Sequence, residues 1–204
     1  MRKDSVVVVP KIIGVSGVAR VGKDTLCDFL EQDLKEKQIK TKRLAFAKFL
    51  KDDLDDFLLA KVGISAYSNN TEEKTIIRPV LVEYGKMMRN ISEGMYWIDK
   101  LKSSMPQNNS TICLISDVRY PNEAEWINDI NGITIHISRE GIEPANEEEA
   151  INDPQTKKLC QFKFQPVNTK TSQLPHSYLP IINEILNRKN FRQQINKTTS
   201  SQPL

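Results

Sequence analysis

Ile12-Ile13-Gly14-Val15-Ser16-Gly17-Val18-Ala19-Arg20-Val21-Gly22-Lys23-Asp24-Thr25 is the stretch whose reading decides the fold. Its first residues are an apolar run of strand character, and glycines then turn the chain. Leu26-Cys27-Asp28-Phe29-Leu30 follows with helical spacing. Gly17 to Lys23 reads G-x-x-x-x-G-K, a phosphate-binding loop between a buried strand and a helix. Each residue type has a physical reason. Glycines let the backbone turn and bring its N–H groups close to phosphate oxygens, and the helix N-terminus adds partial positive charge. Lys23 can reach terminal phosphates, and Thr25 places a hydroxyl in the first helical turn. Asp24 stands where many such loops carry the Ser or Thr that ligates magnesium. It can hold the ion through water, leaving Thr25 for a phosphate.

Outward from this loop, Leu26, Cys27, Leu30 and Leu34 share one helical face, which predicts a helix to about Glu36. A second strand is expected over 41–46 and a helix over 47–61, whose acidic run at Asp52, Asp53, Asp55 and Asp56 reads as a solvated face. A loop over 62–73 precedes two helices, about 74–88 and 93–102. Thr111 to Ser116 is a continuous apolar run, as expected of a strand buried on both faces of a parallel sheet. Pro121 opens a helix with Glu123 and Glu125 near its positive end, and 133–138 is a further strand. The acidic, breaker-rich 141–154 reads as a mobile surface segment. Cys160 to Phe164 alternates like an edge strand, 175–187 makes a last helix, and 189–204 reads as a disordered tail. The alternation predicts an α/β fold with a central parallel five-stranded sheet flanked by helices, its ligand at the carboxyl ends of the strands. There Asp117 ends the strand that begins at Thr111. A carboxylate in that place commonly orients magnesium in phosphate-loop proteins, and Arg119 beside it can fork onto a phosphate.

The 204 residues suffice for one α/β domain, and a net charge of +3 demands no nucleic-acid partner. Cys27, Cys113 and Cys160 lack metal or disulfide spacing, which fits a reducing cytoplasm. No signal peptide, membrane-length apolar run or repeat is read, and the oligomeric state is left open, a homodimer included. His136 and His176 read as structural, and Tyr96 and Trp97 as core.

Gly-Val-Ala-Arg-Val-Gly-Lys-Asp-Thr at 17–25 and Ile-Ser-Asp-Val-Arg-Tyr-Pro-Asn-Glu-Ala-Glu at 115–125 resemble the bacteriophage deoxynucleoside monophosphate kinases. Phe46 to Lys51, and Arg78 through Tyr84-Gly85-Lys86 and Arg89 to Trp97, are similar to two further blocks of that family. The resemblance implies an adenylate-kinase-like phosphate-loop kinase that uses ATP and Mg²⁺ in the cytoplasm, that of the host for a phage-encoded chain. It implies one kinase domain over 1–188: a core of 11–46, 111–139 and 159–188, a monophosphate-binding helical insert over 47–102, and a short lid over 140–158. Transferred by residue, Gly17, Arg20, Val21, Gly22, Lys23, Asp24 and Thr25 would surround the donor phosphates, with Asp24 and Asp117 orienting Mg²⁺. Arg119 would bridge donor and acceptor phosphates, Lys51, Arg78 and Arg89 would lie near the acceptor, and Arg139 would turn onto the transferred group.

Two other readings compete. Animal-type phosphomevalonate kinases have a similar loop and Ser-Asp-x-Arg strand end, but the continuation Arg119-Tyr120-Pro121-Asn122-Glu123 favours the nucleotide kinase. A non-catalytic nucleotide switch would need arginines from partners, whereas the arginines here stand on the chain's own strand ends and insert.

Overall fold

The computed structural model describes residues 12–107, 111–166 and 178–183. The expected tail, His176 and both ends of the last expected helix lie outside them; residues 178–183 are helical. The elements are β1 (Ile12–Ser16), α1 (Lys23–Glu36), β2 (Lys40–Leu44), α2 (Phe46–Val62), α3 (Thr71–Ile91) and α4 (Tyr96–Ser104). They continue with β3 (Thr111–Val118), α5 (Pro121–Asp129), β4 (Ile133–Ile137), α6 (Glu147–Leu159) and β5 (Phe162–Phe164).

The strands form the expected five-stranded α/β sheet in the order β2-β3-β1-β4-β5, with β1–β3, β1–β4 and β4–β5 parallel. Every residue of β1 and β4 is buried, because these central strands are covered on both faces. Ile13 pairs with Leu114 on one side and Ile133 on the other, which fixes the register. The main core joins these strands to Leu26, Cys27, Leu30 and Leu34 of α1 and to Tyr178, Ile181 and Ile182. Topology sets the place for a ligand. The chain leaves β1 for β2 on one side, while β3, lying between them, sends the chain across to β4 on the other. The crevice between the carboxyl ends of β1 and β3 is therefore a switch point.

The chain divides into two compact units, Leu44–Met105 and the sequence on either side of it. Within Leu44–Met105, α3 starts three residues earlier than the apolar pattern predicts. The Asn70 side chain caps it, accepting the N–H of Glu72 at 2.8 Å and of Glu73 at 3.3 Å. The acidic run of α2 is not simply a solvated face. Asp53 accepts hydrogen bonds from Tyr96 Oη (2.7 Å), Tyr84 Oη (3.3 Å) and Lys100 Nζ (2.8 Å). Asp55 holds Ser65 and the Ala66 N–H, both at 2.7 Å. Trp97 is buried and donates its indole N–H to Gly85 O, so it belongs to the core as expected.

The largest departure is α6. Residues 147–154, part of the segment expected to be irregular and mobile, are helical. Asn146 caps the helix by accepting the Glu149 N–H at 2.9 Å, and Glu147, Glu148 and Glu149 lie in its first turn with Lys157 and Lys158 in its last. That charge order matches the helix dipole. Pro154 is accommodated inside the helix, and the buried position is a threonine, Thr156, so apolar periodicity gives no signal.

Candidate phosphate site

The loop between β1 and α1 takes its shape from three residues with positive φ: Gly17 (134°), Arg20 (64°) and Gly22 (107°). At Gly17 a Cβ would lie 2.3 Å from Ile137 O, so the loop passes against the end of β4 where only glycine fits. At Gly22, which precedes α1, a Cβ would meet Tyr178 Oη at 2.5 Å. Lys23 opens the helix, and its Nζ folds back to donate to Gly17 O and Val18 O, each at 2.7 Å. Burial, and then the Arg119 charge, hold its ammonium below the ordinary lysine pKa; Glu149, Asp24 and Asp117 pull it upward. Lys23 thus lies within electrostatic reach of one guanidinium and three carboxylates at the end of β1.

Beyond β3, a buried carboxylate fixes the backbone that carries Arg119. Glu123 Oε2 accepts the N–H of Arg119 at 2.8 Å and of Tyr120 at 3.2 Å, in the capping box of α5. Thr156 of α6 places its hydroxyl between Asn152 O at 3.0 Å and Arg119 O at 3.2 Å. Arg119 Nη1 faces Glu149 Oε1 at 3.3 Å, while Glu149 Oε2 accepts the Ala19 N–H of the loop at 3.2 Å. The cavity among Ser16, Gly17, Arg119, Tyr120, Glu149 and Asp153 has about 20 Å³ of space, room for a water molecule. Ser16 Oγ, on its wall, is buried without a hydrogen bond among the described residues.

Asp24 is exposed on the first turn of α1, 3.6 Å from Arg43 Nη2, which also approaches Asp28 Oδ1 at 3.2 Å. Burial lowers the Arg43 pKa and the Asp24 charge opposes it; burial, then the charges of Asp24 and Glu31, raise that of Asp28. Arg139, one residue past Ser138, donates from Nη2 to Tyr178 Oη at 3.4 Å, and its Nε is buried without a partner among the described residues. It lies over Gly22, close to the loop. Thr25 is half-buried in the first turn of α1, and Arg20 is exposed.

The structure therefore brings Lys23, Asp24, Asp117, Arg119 and Arg139 to the loop end of the sheet. Lys51, Arg78 and Arg89 belong to the other unit. Lys51 stacks over the Tyr67 ring at 5.3 Å, and Arg78 is exposed. Arg78 and Arg89 are eleven residues apart on α3, nearly the same helical face but about 16 Å along the axis. Three further residues at the site carried no sequence signal of their role: Arg43, Glu123 and Glu149. Glu123 was legible as a helix-start acid, but its grip on the Arg119 backbone was not. His136, read as structural, is buried in β4 with Nε2 3.0 Å from Asp153.

No protein-family model matches the sequence, and a search of curated proteins finds no match. Among solved structures, a mutant of the Mycobacterium tuberculosis APS kinase is 12% identical, with 87% of this chain and 97% of that chain covered and a TM-score of 0.41. Shikimate kinase from Bacteroides thetaiotaomicron is 11% identical over 87% of this chain and 98% of that one, with a TM-score of 0.43. Shikimate kinase from Acinetobacter baumannii in complex with shikimate is 13% identical over 89% and 95%, with a TM-score of 0.44. These are distant likenesses of fold, and nothing of those proteins' chemistry passes to this chain at such identities.

Proposed function

We propose that this chain is an ATP-dependent phosphotransferase, a deoxynucleoside monophosphate kinase that moves the γ-phosphate of ATP to a dNMP, giving dNDP and ADP. The observation that carries the reading is the convergence, at the β1–β3 switch point, of loop amides, Lys23 and Arg119. The choice of a monophosphate acceptor rests on the sequence resemblance over 46–51, 78–97 and 115–125. We assign Lys51, Arg78 and Arg89 to the acceptor, residues 47–102 to its binding insert, and residues 140–158 to the lid.

Phosphoryl transfer asks the protein for alignment and charge neutralisation more than for covalent chemistry. The loop amides and Lys23 neutralise the donor phosphates, and Arg119 carries a planar fork suited to two phosphates at once. Its backbone N–H is held by Glu123, so the guanidinium swings from a fixed base. An acceptor phosphate is already a nucleophile, and no general base is needed. Exclusion of water protects ATP from hydrolysis.

The donor set fits Mg²⁺. Asp24 and Asp117 are oxygen ligands within electrostatic reach of Lys23, and the described residues hold no group of three or more carboxylate, histidine or cysteine ligands. Magnesium is usually bound by one or two carboxylates together with substrate phosphates and water. When bound it would supply charge stabilisation on the phosphate oxygens.

The test is a panel of deoxynucleoside and ribonucleoside monophosphates with ATP and Mg²⁺, with nucleoside diphosphate and ADP quantified by chromatography. Stoichiometric dNDP and ADP are expected, and Lys23→Ala should lower kcat/KM by about a hundredfold or more while the protein stays folded. ATP hydrolysis with no acceptor phosphorylated, or phosphorylation of phosphomevalonate instead, would refute the reading.

A further inference from the structure

Glu149 sits on donors that a phosphate would use. Its side chain is only 10% exposed, against 49% for that of Arg119. Oε2 accepts the Ala19 N–H at 3.2 Å and the Ala145 N–H at 3.0 Å, and Oε1 faces Arg119 Nη1 at 3.3 Å. Ala19 lies inside the phosphate loop, 130 residues from Glu149 in sequence. Backbone amides of such loops recognise anions, and the anion on Ala19 here is the chain's own carboxylate. The guanidinium suited to a phosphate is engaged by the same group.

Two anions cannot share this seat. The neighbouring cavity has about 20 Å³, a water-sized space beside the carboxylate. In a partly buried site, like charges in contact also repel far more strongly than in water. Whatever brings a phosphate to Ala19 and Arg119 must move Glu149 out.

We propose that Glu149 is a built-in stand-in for the terminal phosphate of ATP: it occupies Ala19 N–H and Arg119 when no nucleotide is bound, and is displaced by a nucleoside triphosphate but not by a diphosphate. This rests on the reading of residues 17–25 as the ATP site. Loop amides and the loop lysine meet the inner phosphates as well as the last one, whereas on the proposed reading Arg119 meets the terminal phosphate alone. A diphosphate does not reach Arg119 and leaves its pair with Glu149 in place. Displacement also releases the first turn of α6. The Ala145 N–H shares Oε2, Asn146 caps the Glu149 N–H, and the adjacent Glu148 is held by the Tyr120 hydroxyl. Triphosphate binding is thereby coupled to the segment in front of and within that turn, and the competing carboxylate lowers triphosphate affinity selectively.

Calorimetric titration of the full chain, Glu149→Gln and Glu149→Ala with the β,γ-imido analogue of ATP and with ADP, each with Mg²⁺, tests this. Removing the charge should raise affinity for the triphosphate analogue by about fivefold or more, the lower bound of ordinary coupling between sites. ADP affinity should stay within about twofold. Equal gains for both nucleotides, unchanged affinities, or weaker triphosphate binding would overturn the proposal. So would a collapse of both variants' thermal melting, which would make Glu149 a structural brace. A wild-type chain that binds neither nucleotide refutes the ATP site and this inference with it. Normal wild-type binding with unaffected variants refutes the inference alone.

Discussion

Replacing Gly17 by alanine probes the loop's geometry through two separable terms. The backbone there has φ 134°, which side chains rarely adopt, and the new Cβ would stand 2.3 Å from Ile137 O and 3.0 Å from Val21 Cγ1. The oxygen belongs to the backbone of β4, whose Ile137 lies in register with Phe164 of the neighbouring strand, so it cannot rotate away as a side chain would. Relief to a 3.0 Å contact requires a shift of about 0.7 Å at the end of a fully buried strand. Unfavourable φ costs about 1–2 kcal/mol, and overpacking against a rigid neighbour adds about 1–3 kcal/mol. Reduced freedom of the unfolded chain returns about 0.4–1 kcal/mol. The net expectation is a loss of about 3 kcal/mol. Gly141→Ala is the control: φ is 75°, nothing lies within 4 Å of its Cβ, and it belongs to the same unit. It should lose only about 1 kcal/mol. Urea unfolding read by Trp126, in a Trp97→Phe background so that one unit reports, gives both values from the midpoint and slope. If Gly17→Ala loses no more than Gly141→Ala, the close approach of loop and β4 is not a constraint and the reasoning fails.

Arg119→Lys keeps the charge but loses the planar fork, so kcat for dNMP phosphorylation should fall by about a hundredfold or more, with ATP affinity little changed. Steady-state kinetics within about twofold of wild type for both Arg119→Lys and Arg119→Ala would leave Arg119 a surface partner of Glu149. Asp53 gives a pH prediction: burial raises its pKa, but hydrogen bonds from Lys100, Tyr96 and Tyr84 outweigh that and hold it below 3.8. Its contribution is therefore complete above pH 3.8 and disappears as pH falls through the lower folded value. Asp53→Asn should lose about 1–2 kcal/mol at neutral pH and flatten the acid limb of melting temperature against pH, read by Trp97 fluorescence; an unaltered acid limb would count against it.

What the sequence revealed were features whose cause is local. The phosphate loop is spelled by consecutive residues, and strands buried on both faces announce themselves as unbroken apolar runs at 12–15 and 112–115. The positions of Asp117 and Arg119 at the end of β3 were legible because the apolar run of the strand stops just before them. α6 was not legible. Its stability comes from an asparagine cap and a charge order that fits the dipole, and neither leaves apolar periodicity behind. Arg43 was hidden by a boundary: a strand read as 41–46 puts it in mid-strand, whereas β2 ends at Leu44 and sets it beside Asp24.

The same distinction explains which half of the site was missed. A site proposed to take a polyanion gathers cations, and burial, followed by the Arg119 charge, lowers the Lys23 pKa. Each cation has an acceptor within the chain: Lys23 the carbonyls of Gly17 and Val18, Arg119 the carboxylate of Glu149, Arg43 those of Asp24 and Asp28, Arg139 the hydroxyl of Tyr178. Of these cations only Lys23 stands in a short pattern that sequence alone can spell. Their acceptors need only be present within reach once the chain has folded, and can come from anywhere in it. That is why Lys23 could be read from seven residues, while Glu149 emerged only when α6 was seen to bring residue 149 back to residue 19.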